Sequence, residues 1–379
     1  MNNDASPRAP RPSSPQRVVI APDSFKGTLD AVDAAQAMAT GWLMARPQDE
    51  VVCLPQADGG EGTAEALAMV SPGASWHDVG LVAGPDGRPV PGRYLTLSDG
   101  TAVVDLATSS GIALMKQLDP LGAHTEGLGQ VIRAAVADGA RRLVIGLGGS
   151  ASTDGGLGAL VALGARALGS TGERLPNGGG ALTGLGRIDP SGIVQTPPGG
   201  VELLTDVTSP LLGPTGAAAV FGPQKGASAA QIDLLDRGLA RLAEELGGDP
   251  DQPGAGAAGG TAYGLVAGWG ATITPGARRI AELTGLVAAA ATADVLILGE
   301  GRFDATSLSG KVVGEALALA RDGARRCVIA GQVATDNDAL AGVELVSLTE
   351  LAGSAAQAMA DPGPAMTRAA RGLARATGL

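Results

Sequence analysis

The sequence predicts an α/β protein: a parallel-sheet domain covered by helices on both faces, with a second α/β domain inserted into it. Three observations carry this. Short apolar runs alternate with amphipathic stretches of helical spacing along most of the chain, as βαβ units do. The 379 residues exceed what one hydrophobic core ordinarily holds. Sixty glycines, without the period of collagen, fall between the apolar runs, where tight strand-to-helix turns need them. Aromatic residues make up only 2%, so the core must be packed from Leu, Val, Ile and Ala.

The elements follow in order. Residues 17–20 read as a strand, and Thr28 can cap a helix running to about Met44. A strand at 51–54 leads through the turn ADGGEGT into a helix at 63–69. Residues 101–106 read as a strand, and 126–137 as a helix closed by Gly139. A strand at 142–146 feeds a glycine-rich turn, and 156–168 reads as a helix rich in Ala and Leu. Further strands are expected at 202–204, 295–298 and 327–330, with helices at 229–246 and 313–321. Two stretches break this rhythm: 82–94 reads as a turn-rich antiparallel excursion, and 169–200 is rich in Gly and Pro. They set the expected organisation: a disordered tail at 1–16, one domain from 17–77 plus 286–379, and an inserted domain at 78–285.

A net charge of −11 and a pI near 4.7 argue against a nucleic-acid surface or an acidic membrane leaflet. No apolar stretch reaches membrane-spanning length, and the Pro-, Ser- and Arg-rich N-terminus lacks a signal-peptide core, so a cytoplasmic protein is expected. Cys53 and Cys327 lie in apolar, strand-like runs and read as inert buried thiols.

Lysine use is more telling. Only four lysines stand among 27 basic residues, and Lys26, Lys225 and Lys311 each adjoin a glycine. A compact ammonium beside bare peptide N–H groups suits phosphate handling, although any one of them can be an ordinary loop charge.

Five constellations can carry chemistry. In VVIAPDSFKGT, Asp23, Ser24 and Lys26 follow a strand at its carboxyl end, where open parallel sheets bind ligands. Lys26 can neutralise a phosphoryl group, and Asp23 can orient it or simply cap the turn. In LPQADGGEGT, Asp58 and Glu61 can hold substrate hydroxyls or a metal, or only favour a helix start. In GLGGSASTDGGLGA, Gly148, Gly149, Ser150, Asp154, Gly155 and Gly156 form a candidate anion nest ahead of a helix; close helix packing also selects such glycines. After the strand at 202–204, Asp206 can accept a proton from an alcohol, hold Mg²⁺, or end a turn, and Lys225 follows the next loop. Finally Glu300, Arg302 and Asp304 cluster ahead of Lys311; Arg302 suits a carboxylate or phosphate, or the group is a structural ion-pair network.

The absences narrow the field. There is no G-x-S-x-G elbow and no G-x-x-x-x-G-K-[ST] loop, and two histidines support neither a His triad nor a His/Cys zinc site. His77 reads as structural and His124 as a cap or surface residue. Carboxylates, Lys/Arg and glycine turns remain, the set that phosphoryl transfer needs.

The blocks VVIAPDSFKGT, ADGGEGT, IGLGGSASTDGGLGAL, LLTDV…PLLGPTGAAAVFGPQKGA and GEGRFD…SGK, in this order between about residues 17 and 333, resemble the type I glycerate kinase family, the bacterial glycerate 2-kinases. The resemblance implies ATP-dependent phosphorylation of D-glycerate to 2-phosphoglycerate with Mg²⁺, and two α/β domains, one Rossmann-like, with the site in the cleft between them. The chain departs from the family pattern at Thr208–Ser209, Thr306, Ser309 and the segment around Asp105.

The resulting expectation gives Asp206 the substrate proton, Lys26 and Lys311 the phosphoryl oxygens, and Arg302 a carboxylate or phosphate. Mg²⁺ is expected near Asp304 or Asp154, with Asp23, Ser24, Asp58, Gly148–Ser150, Gly155, Gly156, Lys225 and Glu300 binding substrate or nucleotide. Two rivals stay open: an NAD(P)-dependent oxidoreductase of a small hydroxy acid, resting on G-x-G-x-x-A at 146–151, and a non-catalytic sugar-acid sensor. Oligomeric state is left open, a homodimer among the options.

Overall fold

In the computed structural model, which describes residues 14–25, 27–308, 312–334 and 342–376, the predicted alternation resolves into two main sheets. The strands are β1 (Arg17–Pro22), β2 (Glu50–Cys53), β3 (Ser75–Ala83), β4 (Pro89–Thr96), β5 (Thr101–Asp105), β6 (Arg142–Gly146), β7 (Arg166–Gly169), β8 (Leu185–Asp189), β9 (Val201–Leu204), β10 (Thr272–Thr274), β11 (Val295–Phe303), β12 (Arg325–Val333) and β13 (Val343–Ser347).

The first sheet is wholly parallel, in the order β13-β12-β11-β1-β2. Both its faces are dry, so its strands read as continuous apolar runs. Val18, Ile20, Val295, Ile297 and Ile329 pack beneath helix Ala31–Ala45 and helix Pro362–Ala376. Their neighbours Val19, Leu296, Leu298 and Val328 face Leu286, Val313 and Ala316 on the other side. The two covering helices touch where Gly41 lies: a Cβ there would sit 2.1 Å from the Thr367 carbonyl oxygen.

The second sheet runs β10-β9-β6-β5-β4-β3, parallel from β10 to β5 and antiparallel through the β3–β4 hairpin, which is the excursion expected near 82–94. On one face Val104, Ile145 and Leu203 meet Leu128, Val131, Leu160 and Leu265. On the other Leu95, Val103, Val144 and Leu204 meet Ala64, Leu67 and Ile280. Helices Thr63–Val70 and Gly276–Leu283 therefore pack on the second sheet, and β3 begins at Ser75. The expected first segment, 17–77, thus contains residues of both layers. A further apolar cluster, built around Leu235, Leu239 and Leu242 of helix Ala229–Leu246, lies beside the second sheet, that helix starting with a Ser228–Gln231 capping box.

Two local expectations change. Asp30, not Thr28, caps the first helix, accepting from the Asp33 N–H; Thr28 instead donates its hydroxyl to the Phe25 carbonyl. The helix expected at 156–168 stops at Ala162, because Gly164 with φ +119° turns the chain into β7. Within the Gly- and Pro-rich stretch 169–200, β8 pairs antiparallel with β7. Both thiols lack a disulfide partner, and burial pushes Cys53 up to about 11 and Cys327 up to about 12, so both stay protonated. Among the described residues, no helix is long and apolar enough to cross a membrane.

Candidate active site

The chain passes from the first sheet to the second through residues 54–62, and this turn lies against the carboxyl ends of both. Gln56 N–H donates to Pro22 O at the end of β1, at 2.8 Å. Gly148 N–H, just beyond β6, donates to Gly59 O at 3.2 Å. A Cβ on Gly148 would stand 2.4 Å from the Gly60 Cα, and one on Gly59 2.6 Å from the Leu204 Cβ, so these glycines let two loops touch backbone to backbone. Carboxyl ends of parallel strands are where open α/β sheets bind ligands.

Two cavities open there and adjoin, sharing Ser24, Thr28 and Asp58. The first, of 430 Å³, is lined by Asp23, Glu300 and Arg302 and by the apolar Phe25, Val313, Leu348, Met359 and Pro362. The second, of 640 Å³, is floored by Gly60, Gly62, Gly148 and Gly149 and walled by Glu61, Glu65, Arg93 and Thr108. Asp58 stands at their junction, one carboxylate oxygen accepting the Gly60 N–H at 3.0 Å. Seven expected residues therefore line the two cavities: Asp23, Ser24, Asp58, Glu300 and Arg302 in the first, with Gly148 and Gly149 across the junction in the second. Lys26 and Lys311 lie outside the described residues; the described Phe25, Gly27 and Val312 line the cavities.

Other expected residues have different tasks. Asp154 is buried, and its carboxylate accepts from Thr125 N–H (2.9 Å), Thr125 Oγ1 (2.8 Å), Gly158 N–H (3.2 Å) and Gly156 N–H (3.2 Å). It ties helix Glu126–Ala137 to helix Leu157–Ala162 and lines neither cavity, so the metal role expected for it does not fit. Gly155 and Gly156 are packing glycines, not an anion nest: a Cβ on Gly155 would meet Leu242 Cδ2 at 2.1 Å, and one on Gly156 the Thr261 carbonyl oxygen at 3.0 Å.

Lys225 is 2% exposed, and lines neither cavity. Its Nζ donates to Ser150 Oγ at 2.9 Å and to the Ser152 carbonyl, while burial pushes its pKa down to about 7 against the pull of Asp154. It braces the loop from beneath. Ser150, its partner, is likewise buried and lines neither cavity.

Asp304 accepts from Thr306 N–H and Oγ1 at 2.9 and 2.6 Å and pairs with the exposed Arg302 at 3.4 Å, outside the lining of either cavity. Asp206 caps helix Gly276–Leu283, accepting from Gly276 N–H at 2.8 Å and Ala277 N–H at 3.1 Å. Burial raises it to about 6; the two N–H groups oppose this, and the charges of Asp58 and Glu315 add to it. It is close enough to feel Asp58 and lines neither cavity.

Sequence reasoning missed Arg93, whose guanidinium pairs with Glu65 at 2.5 Å on the wall of the larger cavity, and Gln332 and Thr349 in the smaller one. Arg93 sits in a hairpin strand that only sheet pairing brings to the site, and no local motif marks it.

A two-layer α/β chain with carboxylates and an arginine around adjoining clefts at its strand ends has the make-up of a small-molecule phosphotransferase. Residues 18–378 match the model of the glycerate kinase family. The chain is 40% identical to the glycerate kinase of Bacillus subtilis over 86% of its length and 87% of the relative's. It is also 40% identical to the glycerate 2-kinase of Escherichia coli, covering 78% and 80% of the two chains. A crystal structure from Salmonella typhimurium LT2 described as a glycerate kinase 2 superposes with a TM-score of 0.80 at 34% identity, covering 96% of this chain and 98% of that one. The chain belongs to the glycerate kinase family and is a kinase, which sets aside the oxidoreductase and sensor readings.

Proposed function

We propose that the protein transfers the γ-phosphoryl group of ATP to the 2-hydroxyl of D-glycerate, giving 2-phosphoglycerate and ADP. The observation that supports this best is Asp58 at the junction of two cavities of different character. The 430 Å³ cavity combines apolar Phe25, Leu348 and Met359 with Arg302, which suits a ligand that carries both a purine and phosphates. The 640 Å³ cavity offers glycine backbone and the Arg93 guanidinium, which suit the carboxylate of a small hydroxy acid and the travelling phosphoryl group. Asp58 then receives the hydroxyl proton as the alkoxide oxygen bonds to phosphorus and the bond to the ADP oxygen breaks.

This moves the base role from Asp206 to Asp58. Asp206, held by two backbone N–H groups, keeps an electrostatic influence and a structural one. Lys26 and Lys311 retain in this proposal the task of neutralising phosphoryl oxygens. Among the described residues no three His, Cys, Asp or Glu side chains cluster as a metal cage. Mg²⁺ bound mostly through phosphates needs only one or two carboxylates, and Asp23 and Glu300 in the smaller cavity fit that need. The ion would supply charge neutralisation across the β- and γ-phosphates. We also propose that the two sheets mark two domains, divided near residues 57 and 285.

The test is ADP release coupled to D-glycerate consumption, with the product assigned by ³¹P NMR. Stoichiometric ADP and 2-phosphoglycerate are expected. 3-Phosphoglycerate would overturn the regiochemistry, and no glycerate-dependent ADP would overturn the substrate.

A further inference from the structure

One buried carboxyl group takes no part in the scheme above. Asp105 ends β5, the strand beside β6, and is 2% exposed. Its Oδ2 accepts the Ala64 N–H at 3.2 Å, at the start of helix Thr63–Val70. Its Oδ1 is buried and has no hydrogen-bond partner among the described residues. That oxygen faces Gly146, its register partner: a Cβ built on Gly146 would lie 3.2 Å from Asp105 Oδ1 and 2.9 Å from the Gly59 carbonyl oxygen. Asp105 thus lies under the place where the 59–62 and 146–149 loops touch, one layer below the glycine floor of the larger cavity.

We propose that Asp105 is a positioning residue for the kinase reaction, acting as a neutral carboxylic acid that holds the 59–62 turn, through the Ala64 N–H, against the 146–149 loop. The proposal rests on the reading that the larger cavity takes glycerate.

A buried carboxyl with an unpaired oxygen is tolerable only while uncharged. The charged groups facing Asp105 are Glu65, from the helix start, and Arg93, from β4; Thr108, from the next turn, gives its hydroxyl to the Asp105 carbonyl, and β6 presents only Gly146. Burial, with the Glu65 charge added, pushes the Asp105 carboxyl up to about 8, against the pull of the Ala64 and Gly62 N–H groups and of Arg93. The acid is therefore protonated at neutral pH. Above pH 8 a carboxylate forms beneath the loops, and the floor it supports loses its register.

A folded-state pKa raised from 3.8 to about 8 means that the group's stabilisation is complete below pH 3.8 and is lost as pH rises through 8.

The experiment measures KM for D-glycerate and for ATP between pH 7 and 9.5 in wild type and in Asp105→Asn, a neutral isostere, with Tm over the same range. Wild-type KM for glycerate should rise above pH 8, approaching tenfold per pH unit as for one ionisation. In Asp105→Asn it should stay within about threefold of the wild-type value at pH 7 and remain flat, and the Tm of the variant should gain on wild type as pH rises toward 8 and level off beyond it. A rise in the ATP KM instead of the glycerate KM would keep the positioning role and overturn the assignment of the cavity. Flat wild-type KM values for both substrates would overturn the proposal even if the variant failed to fold, and so would an alkaline rise that survives in Asp105→Asn.

Discussion

The tripeptide Asp-Gly-Gly occurs at 58–60 and again at 154–156, each time just ahead of a helix, and the two copies do opposite work. At 58–60 the carboxylate gives one oxygen to a local N–H and stands where two cavities meet. At 154–156 the carboxylate is walled in by Thr125, Gly156 and Gly158, and the glycines are pressed against Leu242 and Thr261. The difference is made by what lies beyond the helix start. Helix Leu157–Ala162 has helix Glu126–Ala137 at its N-terminus, which takes up the acid; the 58–62 turn is held through its backbone, by Gly148 and Gly276, and leaves the Asp58 side chain at the cavities. Local sequence sets the turn, and tertiary surroundings decide whether it is a site or a joint.

Substitutions can break this contrast. Asp58→Asn should lower kcat by about 10³-fold, the usual scale for a lost general base, with Tm nearly unchanged. Gly148→Ala, whose Cβ would press on Gly60 backbone at 2.4 Å, should lower kcat/KM by about 10- to 100-fold through misplacement of the floor. Asp154→Ala should do the reverse of Asp58→Asn: a stability loss of about 2–3 kcal/mol in urea unfolding, from four stranded donors, with little change in kcat at temperatures where the variant stays folded.

A smaller effect should appear at Lys225. Its folded pKa of about 7 lies below the ordinary lysine value of 10.5, so its contribution to stability is complete above 10.5 and is lost as pH falls through 7. Lys225→Met should flatten the rise of Tm between pH 7 and 10, as scanning calorimetry would show.

Much of the fold was legible because both faces of each parallel strand are dry, so runs such as RVVIAP and VLIL announce themselves. The helix Ala229–Leu246 was equally plain from its periodicity, and the hairpin from its turn residues. The misses are local: residues 166–168 read as helix because Ala and Leu favour helix, and Gly164, which turns the chain into β7, looks like the many other glycines. Thr63–Val70 looks like any crossover helix; only its contacts with Leu95 and Val103 reveal which sheet it covers. For the site, the motifs marked Asp23, Asp58, Glu300 and Arg302, and all four line the smaller cavity. They did not separate them from Asp154 and Lys225, since burial depends on Leu242, Thr125 and Ser150, distant in sequence. Arg93 carried no signal at all.

The placement of the reacting hydroxyl beside Asp58 is tested most directly by single-turnover phosphorylation of D-glycerate in Asp58→Asn and Asp206→Asn, beside wild type, with ATP affinity measured by calorimetry. The rate of the chemical step should fall about 10³-fold in Asp58→Asn and by no more than about tenfold in Asp206→Asn, with ATP affinity kept in both. A near-normal rate in Asp58→Asn, or the larger loss in Asp206→Asn, would contradict the placement of the reacting hydroxyl at the cavity junction.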